Sequence, residues 1–168
     1  NILVLVLLIF QTPSWADDIS DFQIEGMGIG DSALDFMSED KIKSKAMYPY
    51  DSKKFYQSGM NSTSFKTYDY VQFNLRDKDS KYILYGLSGK IFFENDIKNC
   101  LKKRDTIFKE ILNLFNKDNI NTSSSDSSHG YDKSGESLVY IHDIEFLSGG
   151  MIRIYCTDWS DKFDFIDE

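Results

Sequence analysis

The stretch "YDYVQFNLRDKDSKYILYGLSGKIFFE", residues 68–94, contains two segments in which apolar and polar residues alternate, joined by the polar turn "DKDS" at 77–80. The apolar members are Val71, Phe73 and Leu75 in the first segment and Ile83, Tyr85 and Leu87 in the second. Because successive side chains of a β-strand point to opposite faces, this pattern predicts a β-hairpin with one apolar face. Gly86 and Gly89 indicate a bulge or a bend in the second strand.

A second hairpin is predicted near the end of the sequence. The segments "SLVYIHDIEFL" (137–147) and "GMIRIYCTDW" (150–159) are rich in β-branched and aromatic residues, and the short "SGG" turn lies between them. Short Gly-containing connections of this kind are typical of antiparallel strand pairs.

Residues 96–117, between the two hairpins, carry apolar residues at helical spacing, and Asn95 or Asp96 offers an N-cap. The apolar stripe of this predicted helix includes Cys100, while Cys156 shares one face of the last predicted strand with other apolar residues. If the helix packs on that face, the two cysteines meet. We therefore predict one disulfide, which closes a loop of about 56 residues and contributes about 4 kcal/mol to stability.

The other segments give weaker patterns. Residues 31–47 predict a helix in two short pieces, with Ser32 and Ser38 as N-caps. A short strand is predicted at 22–24. The segment "NTSSSDSSHGYDKSGES" (121–137) is low in complexity and rich in serine, which predicts a flexible surface loop.

Hairpins rather than strand–helix–strand crossovers dominate this order of elements. The sequence therefore predicts an α+β fold, with an antiparallel sheet of about 4–6 strands (two hairpins) and two helical segments packed on one face.

The chain opens with an unbroken apolar run at residues 2–10, which is too short to cross a bilayer. It matches the hydrophobic region of a secretory signal peptide, and Ser14 and Ala16 supply small residues before a cut. We predict a signal peptide at 1–16, a single domain at 17–168, and a periplasmic or secreted location. The missing initiator Met predicts that the first codons precede this sequence.

The net charge of −8 argues against nucleic acid as a partner, since phosphates are bound by Lys and Arg. The mature chain is expected to contain no integral membrane segment. His129 and His142 have no further histidine or cysteine close in sequence, so no metal site and no cofactor are predicted. The expected partner is an unknown protein or a component of the cell envelope.

The segment "IEGMGIGDSALDFMSEDKI" (24–42) suggests catalysis, because its Gly-Asp-Ser centre resembles the nucleophile block of GDSL (SGNH) hydrolases. Those enzymes also carry a late Asp-x-x-His, which "DSSH" matches with Asp126 and His129. Ser32 would then be the nucleophile, activated by the histidine. However, the Gly-x-Asn-Asp block of that family is absent, and its parallel sheet does not agree with two hairpins. A second interpretation of Ser32 is a helix N-cap.

The glycines of the same segment suggest a phosphate loop, but the third glycine of a G-x-G-x-x-G pattern would fall at Asp31. A tight turn before a helix explains these glycines more simply.

The segments "DDISDFQIEGMGIGDSALDFMSEDKIK", "YGLSGKIFFEN" and "IRIYCTDWSD" resemble a group of small exported proteins of marine alphaproteobacteria. These proteins carry an Ile-Glu-Gly-Met/Ile-x-Ile-Gly-Asp-Ser motif after a signal peptide, and the resemblance implies no catalytic residues. The stretch "IEGMGIGDSALDFM" is also similar to the helix entry of lactamase-inhibitor-like domains, a fold used by outer-membrane assembly accessory proteins. That resemblance implies a strand-to-helix entry and not a catalytic site.

Three hypotheses about function follow from the sequence. The first is a non-enzymatic exported module that binds a partner or maintains the envelope. The second is a serine hydrolase that uses Ser32, Asp126 and His129. The third is a small-ligand-binding protein with an aromatic pocket near Trp159 or Tyr85.

Overall fold

The structure, a computed structural model, describes Ile19, residues 22–49 and residues 51–163. The predicted signal peptide at 1–16 lies outside the described residues. The strands are β1 (Gln23–Ile24), β2 (Met27–Gly28), β3 (Phe55–Met60), β4 (Tyr70–Arg76), β5 (Leu84–Lys90), β6 (Ile120–Ser128), β7 (Leu138–Phe146) and β8 (Met151–Asp158). The helices are α1 (Glu39–Ser44) and α2 (Ile97–Leu112), and 3-10 turns lie at Ala33–Asp35 and Lys117–Asn119.

The prediction of an α+β fold with antiparallel strands is confirmed, but the strands form more than one sheet. They are divided among a β1–β2 pair, a sheet of order β3-β4-β5 and a sheet of order β6-β7-β8. The expectation of about 4–6 strands is thus too low for the described residues, because it missed the two-residue strand β2 and two longer strands, β3 and β6. The sequences of these two strands do not show the regular alternation by which β4 was recognised.

The first three-stranded sheet is built on the predicted hairpin of β4 and β5, with β3 added at the other side of β4. Val71, Phe73 and Leu75 are buried on one face, as their alternation predicted. They pack in one cluster with Ile24 and Met27 from the β1–β2 pair. The apolar alternation of β4 therefore anchors the first core.

The face assignment of β5 was wrong for Tyr85. The register between β4 and β5 shifts at Asn74/Leu75, so that Leu75 lies opposite Leu84 and Asn74 lies opposite Gly86. The extra residue places Leu84 in the core and leaves Tyr85 exposed. A bulge of this kind reverses the face of every residue on one side of it.

Helix α1 and the 3-10 turn at Ala33–Asp35 form the two short helical pieces that residues 31–47 predicted. Ile42 of α1 is buried in the first core, and its carbonyl accepts a hydrogen bond from the buried Ser58 hydroxyl of β3. Ser38 occupies the N-cap position of α1 without a side-chain cap hydrogen bond.

The second three-stranded sheet carries α2 on one face. Ile111 on α2 packs with Phe115, Phe146 and Ile152 in a second apolar cluster, and Phe22 contacts both clusters. Cys100 of α2 and Cys156 of β8 form a disulfide, as predicted. Asp96 caps α2 by accepting a hydrogen bond from the Asn99 amide, so the helix begins where the sequence indicated.

The prediction of a flexible loop at 121–137 is wrong about secondary structure. Residues 121–128 belong to β6, which pairs with β7 along its whole length. The turn after β6 is held by Asp132, whose carboxylate accepts hydrogen bonds from the Ser134 amide and from the amide and hydroxyl of Ser137. The polar sequence of this segment predicted a flexible loop. Pairing with β7 orders β6, and the hydrogen bonds to the Asp132 carboxylate order the turn that follows it.

Candidate functional site

The most distinctive surface of the described residues is β6, an edge strand of nine residues. Its sequence "INTSSSDSS" is almost entirely polar, and residues 121–128 are all exposed. Side chains this small leave the backbone of the strand accessible. An exposed edge of this length is able to pair with another strand.

The hydrogen-bond pattern identifies which backbone groups of β6 face outward. Beyond one end of the β6–β7 ladder, the amide of Leu147 donates to the Asn119 carbonyl, and at the other end the amide of His129 donates to the Ser137 carbonyl. In an antiparallel pair, hydrogen-bonded positions recur at every second residue. The odd-numbered residues of β6 therefore bond to β7, and the even-numbered ones present their N–H and C=O groups at the free edge.

The outward-facing residues are Thr122, Ser124 and Asp126 at the centre of the strand, with Ile120 and Ser128 at its ends. Within the described part of the chain, no hydrogen bond reaches the backbone groups of these three central residues. Unpaired groups of this kind are satisfied by water or by an added strand.

The features that commonly prevent an edge strand from pairing with another strand are largely absent from β6. The strand contains no proline and no lysine, its register with β7 has no bulge, and Asp126 is its one charged residue. The edges of the first sheet differ. Met47 bonds to both backbone groups of Gln57 on β3, and Gly30 and Asp31 bond to Leu84 on β5. Among the described strands, β6 has the longest edge without such cover.

A chain of polar contacts lies beneath the centre of β6. The Ser124 hydroxyl is 2.7 Å from His142 Nδ1, and His142 Nε2 is 3.0 Å from Asp105 on α2. The His142 ring stacks on Phe108, which fixes its plane. The guanidinium of Arg104 holds the pKa of the Asp105 carboxyl below its ordinary value, and the contact with His142 acts in the same direction.

These contacts were not predicted from the sequence. Asp143, which follows His142 in the sequence, accepts two hydrogen bonds from Arg153. Ser124 lies directly opposite His142 across the β6–β7 ladder, so finding this pair requires the register of the two strands. Asp105 is brought in by the packing of α2, 37 residues away in sequence.

The predicted catalytic residues Ser32, Asp126 and His129 are not joined by any hydrogen bond among the described residues. The Ser32 hydroxyl donates to the Lys81 carbonyl and accepts from the Leu34 amide. The N-cap interpretation of Ser32 is confirmed by the second of these bonds, although the structure that it caps is a 3-10 turn.

Asp126 and His129 lie in the other half of the chain. Asp126 is exposed at the outward-facing edge of β6. His129 follows the strand, and its ring contacts Tyr131 and Trp159. These positions do not favour a common site with Ser32.

The "IEGM" part of the same segment has a structural role. Glu25 and Gly26 both have positive φ and form the turn between β1 and β2. The Glu25 carboxylate accepts hydrogen bonds from the amides of Lys66, Thr67 and Tyr68, at 2.7 to 3.1 Å. The hydrogen bond from the Lys66 amide is the largest cause that lowers the pKa of this carboxyl. Glu25 therefore attaches the β1–β2 turn to the segment that precedes β4.

The surface gives little support to a deep ligand pocket. The two best-formed depressions among the described residues are shallow, and they lie beside the N-terminal half of α2 and at residues 52–55 near Arg76. Neither is lined by Trp159 or Tyr85. Among the described residues, no group of three or more acidic, histidine or cysteine side chains could hold a metal ion. None of the described helices has the length and apolar character needed to cross a membrane.

Comparison with known proteins adds no further constraint, since no family model, no curated protein and no solved structure matches this chain.

Proposed function

We propose that this protein is an exported, non-enzymatic binding module of the periplasm or cell envelope, and that β6 binds a protein partner by accepting one of its strands. The observation that supports this proposal is the uncovered nine-residue edge, with the backbone groups of Thr122, Ser124 and Asp126 directed outward. In strand addition, backbone hydrogen bonds provide affinity, and the flanking side chains provide selectivity.

The side chains of β6 suit such an interaction. Serine and threonine carry little bulk, so a partner backbone can approach to the usual spacing of about 4.8 Å between strands. Their hydroxyls can accept or donate hydrogen bonds to the partner's side chains. Because β6 is already paired with β7 along its length, the edge is ordered before binding, which lowers the entropic cost of association.

Export is supported by two observations. The predicted signal peptide gives a route out of the cytoplasm, and the disulfide between Cys100 and Cys156 agrees with an oxidising compartment. The acidic net charge of −8 disfavours contact with nucleic acid or anionic lipid, so a protein partner is the simplest class.

The proposal can be tested with a displayed library of random extended peptides, selected on the immobilised mature chain at low surface density. We expect selected peptides to bind the wild-type protein and the Ser124→Ala variant equally and to lose binding to Ser124→Pro. Proline removes one outward amide and leaves the ladder with β7 intact, since that ladder uses the odd-numbered residues. Peptides that bind the proline variant as tightly as the wild type would contradict strand addition at β6.

A second candidate function is hydrolysis of an ester at Ser124, which is favoured by the contact chain Ser124–His142–Asp105. In this reaction the Ser124 oxygen attacks the ester carbonyl and its proton passes to His142 Nδ1, while Asp105 holds the opposite ring nitrogen. The histidine gives that proton to the alcohol oxygen as the ester C–O bond breaks, and water then hydrolyses the acyl-serine. The test is turnover of p-nitrophenyl acetate by the mature chain. Turnover that disappears in both Ser124→Ala and His142→Gln would favour the hydrolase, and turnover that persists in Ser124→Ala would exclude it.

A further inference from the structure

We infer that the strand added to β6 is β6 of a second copy of this chain, paired antiparallel about a two-fold axis at Ser124. This inference rests on the proposed function and names its partner. The product would be one continuous sheet of order β8-β7-β6-β6-β7-β8 across two copies. A two-fold contact of this kind presents the same surface on both sides, so the edge must be complementary to itself.

The outward-facing groups of β6 meet that requirement. With the axis at Ser124, residue pairs across the axis have numbers that add to 248, so the nine residues of β6 pair completely. Ser124 then lies opposite its own copy, and Thr122 lies opposite Asp126. All three outward-facing residues occupy hydrogen-bonded positions, because each even-numbered residue meets another even-numbered residue.

The distribution of charge favours this register. Asp126 is the one charged residue of β6, and the two-fold axis at Ser124 places its carboxylate beside the Thr122 hydroxyl of the second copy. A hydroxyl can donate to a carboxylate there. An axis at Asp126 would oppose two carboxylates, and an axis at Thr122 would oppose Asp126 and Asp118. Like charges placed directly opposite each other destabilise a strand pair.

The β6 side chains that would face each other are mostly small and polar. The flanking odd-numbered residues would pair as Ser123 with Ser125 and as Asn121 with Ser127. Each copy carries a net charge of −8, and these like charges repel each other. At physiological ionic strength exposed charges are screened beyond about 8 Å, so we expect the contact to form there.

The first experiment is sedimentation velocity of the mature, disulfide-bonded chain over a dilution series that begins near 500 µM, in about 0.15 M salt. We expect a dimer that dissociates on dilution. Ser124→Pro should raise the dimer dissociation constant about 100-fold, because both central hydrogen bonds are lost. Ser124→Ala is the matched comparison, since it removes the same hydroxyl and its contact with His142 but keeps the amide, so the additional weakening in Ser124→Pro measures the backbone hydrogen bonds.

A charge-exchange experiment tests the position of the axis. Ser124→Lys and Ser124→Asp should each weaken self-association about fivefold, because identical charges meet at the axis. An equimolar mixture of the two variants should associate at least as tightly as the wild type. Circular dichroism of each variant shows whether it is folded, and only folded variants are compared.

Three results would overturn the inference: a wild-type chain that stays monomeric over the whole series, a dimer that survives Ser124→Pro unchanged, or a mixture that associates no better than its components. The outcome for the proposed function is separate. If the chain is monomeric but selected peptides bind it and fail to bind Ser124→Pro, strand addition stands and self-pairing is rejected. If Ser124→Pro weakens neither self-association nor peptide binding, both strand addition at β6 and self-pairing are rejected.

Discussion

The two three-stranded sheets of this protein have the same antiparallel order and opposite ways of treating their edges. In the first sheet, chain segments at Met47 and at Gly30–Asp31 bond to the outer strands β3 and β5. In the second sheet, β6 is exposed along residues 121–128 and no described segment bonds to its outward groups.

The apolar cores that hold the two sheets also differ. The first sheet is held by an alternating apolar strand, in which Val71, Phe73 and Leu75 are at most 1% exposed. The second is joined to α2 by a smaller apolar cluster and by the disulfide. A polar strand can thus be kept in place by its neighbouring strand and by a covalent link, which leaves its edge available for binding.

The largest expected effect comes from removing the covalent link. The double substitution Cys100→Ser and Cys156→Ser should lower the free energy of unfolding by about 4 kcal/mol, because the unfolded chain is no longer constrained. Denaturant unfolding measures the loss, and amide exchange should show it first in β7 and β8, before β4. Reductant should have no additional effect on this variant. An equal loss of amide protection in both sheets would contradict the expectation that the disulfide stabilises mainly the second sheet.

A substitution in the first sheet tests how tightly its strands pack. A Cβ atom on Gly59 of β3 would lie 2.6 Å from the Val71 carbonyl oxygen, which belongs to the rigid backbone of β4. Gly59→Ala should therefore cost about 2 kcal/mol in thermal or denaturant unfolding. Gly130→Ala is the control, since a Cβ there would have no neighbour within 4 Å, and its effect should stay below about 0.5 kcal/mol.

A smaller effect is expected from the carboxylate that attaches the β1–β2 turn. Glu25→Gln should reduce stability by about 1 kcal/mol, because the three amides of residues 66–68 lose a charged acceptor that is partly exposed to solvent. Glu94→Gln removes an equal charge from an exposed position and should change unfolding little. Indistinguishable unfolding curves for the two variants would show that the Glu25 contacts contribute nothing.

Acid should affect the turn after β6 selectively. Hydrogen bonds from Ser137 and Ser134 hold the pKa of the Asp132 carboxyl well below its usual range. A depressed pKa in the folded state means that the contribution of this group is fully present above about pH 4 and is lost as the pH falls toward the folded pKa. Amide exchange of Ser134 and Ser137 should therefore accelerate in acid beyond the intrinsic trend, and Asp132→Asn should abolish this dependence on pH.

The parts of the fold that the sequence predicted are those with a local pattern. The β4–β5 hairpin follows from the alternation around Phe73, and α2 follows from the helical spacing of residues 96–117, although the helix itself ends at Leu112. The disulfide was predictable because Cys100 lies on the apolar stripe of α2 and Cys156 lies on the apolar face of the last strand, β8. In each case, the residues themselves carry the periodicity of the element that they form.

The parts that were missed depend on contacts distant in sequence. The sequence of β6 has no apolar alternation, so its strand conformation becomes clear only when β7 is aligned beside it. The exposure of Tyr85 depends on a bulge whose position is set by the register with β4. The contacts of His142 require both a strand register and the packing of α2, and neither leaves a mark near His142 in the sequence.

The most direct test of the central claim is residue-resolved amide exchange along β6 in dilute and concentrated protein. In dilute protein, Ser123 and Ser125 should be protected by their bonds to β7, while Thr122, Ser124 and Asp126 should exchange freely. At concentrations where the chain dimerises, these three outward-facing amides should gain protection. Uniform exchange along β6 would contradict the assigned edge, and outward-facing amides that remain unprotected in the concentrated protein would contradict pairing between copies.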